Sequence, residues 1–169
     1  LILNNFNPND LTFPLKIYQD MGLKIKKISK TSYEFNCKTL KPIKKISTKE
    51  FPGYPTDLQA QLIATQLKSA LKSKVVENIF ENRFIHIPEL RRFGANLSII
   101  GKTVTIHKTL NLFGAEVMAT DIRASFSLII AAMMSKGTTV INRIYHLDRG
   151  YEDFDLKLKK CGVNISRKK

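Results

Sequence analysis

Three stretches of this chain rhyme, and the rhyme limits its fold more than any other feature. They are LTFPLKIYQDMGLKIKKISKTSYEF, IHIPELRRFGANLSIIGKTVTIH and YEDFDLKLKKCGVNISRKK. Each reads as a short amphipathic helix stopped by a glycine: Gly22, Gly94 and Gly162. Glycine is favoured just past a helix end because the chain there turns to positive φ. An alternating strand follows each one, at Leu23–Ile25, Ala95–Ile99 and Val163–Ile165. The first two continue through a turn into a second strand, Tyr33–Phe35 and Val104–Ile106, with Gly101-Lys102 as the tighter turn. The three glycines recur roughly 70 residues apart, the mark of an internal repeat.

A second helix type precedes two of these segments, in PTDLQAQLIATQLKSAL and ATDIRASFSLIIAAMMSKG. Thr56 and Thr120 are the expected N-caps, and Asp57 and Asp121 then fall in the first turn, where a carboxylate meets the helix dipole favourably. Thr56 with Gln59 fits a capping box. Each helix leads to a β-branched strand, Val75–Val76 or Thr138–Ile141. The unit therefore reads helix, strand, helix, strand, strand, with the first copy lacking its first helix and the last its final strand. This predicts a mixed α/β fold, helices layered on sheets, as a single incomplete domain over 1–169 with units at approximately 1–49, 50–113 and 114–169.

Charge narrows the partners. The net charge is +14, carried mostly by lysines scattered along the chain. A field of that sign attracts nucleic acid or phosphorylated small molecules, or reflects a compositional lysine bias. No aromatic platform interleaves with the lysines, so nucleic acid is the weaker reading. The longest apolar run, Ala124–Met134, is shorter than the ~18 residues of a membrane span, and there is no secretory signal. Cys37 and Cys161 lie in no metal-binding spacing, so no metal or cofactor is expected. Two such thiols suit a reducing cytoplasm.

Chemistry-bearing residues cluster at element ends. Asp57 follows FPGYP, a rigid loop, and is either a plain capping acid or a carboxylate placed to accept a hydroxyl proton. Ile79 and Phe80 read as the end of a strand, followed by Glu81, Asn82 and Arg83. That triplet is either a turn or a guanidinium fork for an anion. Asp121 and Arg123 are two apart and cannot face each other along a helix, so their partners lie elsewhere. Arg149 stands in HLDRGYED, before the flexible Gly150. Three arginines at the mouths of equivalent elements suit an anion site or a solvated surface.

FPGYPTDLQAQ, ENRFIHIPELRRFGA, GAEVMATDIRASFSLIIAA and GTTVINRIYHLDRGYED closely resemble the UDP-N-acetylglucosamine 1-carboxyvinyltransferase family of enolpyruvyl transferases. The resemblance is dense from Phe51 to Arg167 and loose from Leu11 to Phe35. Leu58 and Asn142 depart from it, where Met and Asp are common. It implies an inside-out α/β barrel of repeated units, two such domains per enzyme, and a site in the cleft between them. It also implies transfer of enolpyruvyl from phosphoenolpyruvate to the 3′-hydroxyl of UDP-N-acetylglucosamine, with release of phosphate, at the start of peptidoglycan synthesis. Carried over by motif, Asp57 would hold the hydroxyl and act as base, and the Ile79 backbone would contact the sugar nucleotide. Arg149 would bind phosphoenolpyruvate, while Arg83, Asp121 and Arg123 would shape the anionic part of the cleft.

Members of that family run to more than twice this length, and their other domain carries a reactive cysteine loop that neither Cys37 nor Cys161 matches. The resemblance thus implies a carboxy-terminal fragment, inactive alone and in need of a complementary amino-terminal half. The alternatives are a nonfunctional gene remnant and a basic nucleic-acid-binding module of related fold.

Overall fold

The computed structural model of the chain describes residues 1–69 and 71–168. Its first unit runs β1 (Ile2–Leu3), α1 (Thr12–Asp20), β2 (Lys24–Lys27) and β3 (Tyr33–Asn36), with sheet order β1-β3-β2 and every pair antiparallel. The second contains β5 (Ser73–Val76), α3 (Ile87–Arg92), β6 (Leu97–Ile100) and β7 (Thr103–Ile106), again antiparallel in the order β5-β7-β6. One topology is written twice. The helix-ending glycines behave alike, at φ +107° for Gly22, +86° for Gly94 and +87° for Gly162.

The structure adds a leading strand to the unit read from sequence. β4 (Lys45–Ser47) precedes α2 (Gln59–Thr65) and pairs parallel with β5, giving a four-stranded sheet β4-β5-β7-β6. Likewise β8 (Glu116–Met118) precedes α4 (Ile122–Met134) and pairs parallel with β9 (Val140–Asn142). Both are β-α-β crossovers, the connection that parallel strands require. Three residues are too few to show an alternating pattern, so neither leading strand stood out.

Two helices, α2 and α4, lie inside, while α1 and the helix Phe154–Lys160 stay mostly on the surface. Six consecutive residues of α2, Gln59 to Ala64, are buried. A helix buried all round belongs to an interior. It packs on α4, whose Ala124, Ser125, Ser127, Leu128 and Ala131 are buried. Small side chains here let the two backbones approach closely. Leu62, Ile63, Leu67 and Leu128 join Val75, Val104, Ile106 and Phe93 in one main core. Each such side chain contributes about 1.5–3 kcal/mol by leaving water. On the outer side of the sheet, Ile100 is 80% exposed. A smaller cluster of Ile129, Leu147 and Phe154 joins α4 to α5 (Tyr145–Asp148) and α6 (Phe154–Lys160). Among the described residues no helix is long and apolar enough to cross a membrane.

Four local expectations are corrected. Val163–Ile165 forms no strand, because no ladder partner lies beside it among the described residues; Ile165 instead packs on the smaller cluster. Thr56 caps nothing: residues Thr56–Leu58 form a 3₁₀ turn, and the Thr56 hydroxyl donates to Glu77. The helix expected through Leu71 is shorter, ending as α2 at Thr65, and position 70 lies outside the described residues. The N-cap of α4 is Asp121 rather than Thr120.

Candidate functional site

The site begins at the amino ends of the two buried helices. Asp57 sits in the 3₁₀ turn leading into α2, and its side chain is 60% exposed. Arg83 Nη2 donates to Asp57 Oδ1 at 2.8 Å, and Arg123 Nε donates to the same oxygen. Among the described residues Oδ2 of Asp57 accepts no hydrogen bond. The arrangement is a carboxylate flanked by two guanidiniums, a local excess of one positive charge.

Each arm has a local cause. Asp121 Oδ1 accepts from the N–H groups of Arg123 at 2.7 Å and Ala124 at 2.9 Å, which caps α4 and starts the helix that carries Arg123. Among the described residues Asp121 makes no ion pair with Arg83 or Arg123. Arg83 follows Asn82, whose φ of +52° bends the chain back, and its guanidinium lies 4.7 Å from the Phe80 ring centroid. Stacking on an aromatic face restricts the fork while leaving its N–H edges free.

Ile79 and Phe80 are not strand residues; they form a loop beyond β5. The loop is held by Glu77, which sequence reasoning missed. Glu77 is 2% exposed. Its Oε1 accepts from the hydroxyl of Thr48 at 2.9 Å and from the N–H groups of Ile79 at 2.9 Å and Phe80 at 3.2 Å. Its Oε2 accepts from the Thr56 hydroxyl at 2.9 Å. A charged residue after two valines ordinarily ends a strand in water; only the folding of two loops over it makes it interior.

Arg149 is not brought into the ion-pair cluster: it is exposed, and its side chain makes no ion pair among the described residues. Its neighbour Gly150, however, rests on Ile122, with no room for a Cβ against that side chain. The turn bearing Arg149 is thereby set against the residue next to Arg123. Asp148, on its other side, is gripped by both Nη atoms of Arg167 at 3.0 and 2.6 Å. That fork holds the Asp148 carboxyl below its ordinary pKa. Arg167 also pairs with the buried Asp155 at 3.1 Å and lies over the Phe154 ring.

Near α3, His86 is buried, and its Nε2 has no hydrogen-bond partner. Burial pushes its pKa down to about 4, against a smaller upward pull from Asp121. Among the described residues no group of three or more His, Cys, Asp or Glu could hold a metal. Cys37 and Cys161 are exposed and unpaired.

Comparison with known proteins identifies the family and the fold. The EPSP synthase (3-phosphoshikimate 1-carboxyvinyltransferase) family matches residues 1–158. A UDP-N-acetylglucosamine 1-carboxyvinyltransferase of Campylobacter lari is 48% identical over 99% of this chain and 40% of its own length. One from Rhodopseudomonas palustris is 56% identical over 72% of this chain and 28% of its own. The chain therefore spans less than half the length of these relatives. Among solved structures, the enolpyruvyl transferase NikO from Streptomyces tendae superposes with a TM-score of 0.81 at 24% identity, over 94% of this chain and 37% of that one. An EPSP synthase from Acinetobacter baumannii gives 0.68 at 14% identity, over 91% of this chain and 36% of its own. Both share the fold.

Proposed function

The chain belongs to the EPSP synthase family, and on that premise we propose that it forms the carboxy-terminal part of a UDP-N-acetylglucosamine enolpyruvyl transferase, inactive without a complementary amino-terminal half. The observation that carries this reading is the convergence of Arg83 and Arg123 on one oxygen of Asp57, with the other oxygen free. Both substrates are anions, and the reaction joins a hydroxyl oxygen to the enol carbon of phosphoenolpyruvate while phosphate leaves. Asp57 Oδ2 accepts the hydroxyl proton. The two guanidiniums hold the anionic substrate in a position fixed before reaction begins, which makes their charge effective on the transition state. Arg149, unpaired and set beside α4, binds the phosphoenolpyruvate. At Ile79 the N–H is already bonded to Glu77, so the backbone contact to the sugar nucleotide runs through its carbonyl.

This half-site is open. Asp57 and Arg123 are exposed to water, which screens their charges until a second wall closes over them. A cytoplasmic setting goes with charged substrates and two unpaired thiols. The test is phosphate release from phosphoenolpyruvate plus UDP-N-acetylglucosamine. It is measured with this chain alone, with a separately made amino-terminal half of a relative, and with both mixed. The mixture is expected to turn over and either part alone to be silent. Turnover by this chain alone overturns the need for a second half, and silence of the mixture overturns the assignment.

A further inference from the structure

The buried carboxylate of Glu77 has a place in no step described above, and it is held without a counter-cation. Among the described residues no lysine, arginine or histidine pairs with it. Burying a charge is costly unless hydrogen bonds replace its water. Here four donors do so, and they come from three separate segments: Thr48 at the end of β4, Thr56 in the turn before α2, and the Ile79–Phe80 loop after β5. Thr48 is itself tied in, since its hydroxyl accepts from the Asn78 N–H at 2.8 Å. Glu77 is fixed to the sheet by its own N–H, which donates to the Lys102 carbonyl at 2.8 Å.

The consequence lies in what those donors precede. Thr56 is the residue before Asp57. Phe80 stacks on Arg83, which bonds Asp57. The two arms of the Asp57–Arg83 pair thus both start from one carboxylate, Oε2 for one arm and Oε1 for the other. We propose that Glu77 is a positioning residue: it locks the Asp57 turn and the Ile79–Arg83 loop to the sheet as one body and so sets the separation of the carboxylate and guanidinium that meet substrate. This rests on the functional reading of that cluster given above, but the locking itself does not.

Glutamine can retain the three donors on Oε1 and leave its amide to face Thr56, whose hydroxyl can rotate to accept. Leucine loses all four bonds. Thr56→Val severs only the Asp57 arm. In this chain, measured by amide hydrogen exchange, Glu77→Leu is expected to lose at least tenfold protection at Ile79 and Phe80 relative to the β5–β7 ladder, and Glu77→Gln less than threefold. Thr56→Val is expected to speed exchange at the Leu58 amide at least fivefold with the ladder unchanged, which decides the matter should Glu77→Leu not fold. In the mixture with an amino-terminal half, Glu77→Gln and Thr56→Ser keep turnover within threefold of the parent, while Glu77→Leu and Thr56→Val lose tenfold or more. Loop protection that falls no further than the ladder's, or full turnover in Thr56→Val, overturns the proposal. If the parent mixture releases no phosphate, the functional reading fails by itself, and the exchange rates alone decide whether Glu77 locks the two loops.

Discussion

Arg123 and Asp57 lie 66 residues apart in sequence and share a hydrogen bond between guanidinium and carboxylate. The contact joins the first turn of α4 to the turn before α2, so the packing of these two helices sets it. Because Asp57 is mostly exposed, the pair matters little to stability. Asp57→Asn is expected to change unfolding free energy by no more than about 1 kcal/mol. In the reconstituted mixture it is expected to lower turnover about 10²-fold, the scale of lost acid–base work. Urea unfolding and phosphate release on the same variant separate the two, and near-parental turnover would remove Asp57 from the chemistry.

Gly150→Ala tests whether the Arg149 turn depends on its seat against Ile122. The clash is with the far end of a flexible side chain. A shift of that side chain is expected to cost about 1 kcal/mol or less. The Arg149 turn is displaced with it, so KM for phosphoenolpyruvate in the mixture rises several-fold while the melting temperature moves only a few degrees. An unchanged KM would detach this turn from substrate.

His86 predicts an acid-sensitive fold. Its folded pKa, about 4, is below the ordinary 6.5. Between those values the unfolded chain binds a proton that the native protein does not, so stability falls as pH falls through that window. Above about pH 7 the effect is absent. The full shift corresponds to about 3 kcal/mol. Urea midpoints at pH 7.5 and pH 4.5 should differ more in the parent chain than in His86→Gln, and equal slopes would dismiss the histidine as the cause.

Arg167→Lys removes the fork on Asp148 but keeps the charge. A lysine cannot donate in parallel to both carboxylate oxygens. The expected loss is about 1 kcal/mol, reduced further in high salt because the pair is exposed. The Asp148 share of this support is present above its unfolded pKa and disappears as pH drops through its lowered folded value. Thermal melts at low and high salt read it directly; a loss insensitive to salt would point to the Phe154 stacking instead.

Replacing both Cys37 and Cys161 with serine is expected to leave turnover of the mixture unchanged, since both thiols are exposed and away from Asp57, Arg83 and Arg123 in sequence and contacts. A strong loss with folding intact would give one of them a role in the reaction.

The repeat was legible because Gly22, Gly94 and Gly162 mark a backbone need that few other residues meet. Asp57, Arg83 and Arg123 stood out as charges at helix and loop mouths, but their meeting was not legible. Nothing in local pattern tells a residue at 57 that its partner is at 123. Asp121 also caps α4 through Oδ1, a role the sequence had put on Thr120, since an N-cap and a functional acid share one sequence signature. β4 and β8 are three residues each, and a strand that short is defined by its neighbour rather than by its own alternation. Glu77 escaped notice because two of its four partners, Thr48 and Thr56, come from segments more than 20 residues away.

The burial of α2 on every side also bears on how the chain is made. One of its walls is α4, which leaves the ribosome roughly 60 residues later, and at synthesis rates of about 5–20 residues per second that is a wait of about 3–12 s. Throughout it, Leu62, Ile63 and Ala64 have no α4 to pack against. Joining two helices so far apart also carries the entropy of closing a long loop before any contact rewards it. The element at the centre of the finished molecule is thus left without one of its walls for seconds during its birth, and the segment around α2 is where a chaperone that grips apolar stretches would find this nascent chain.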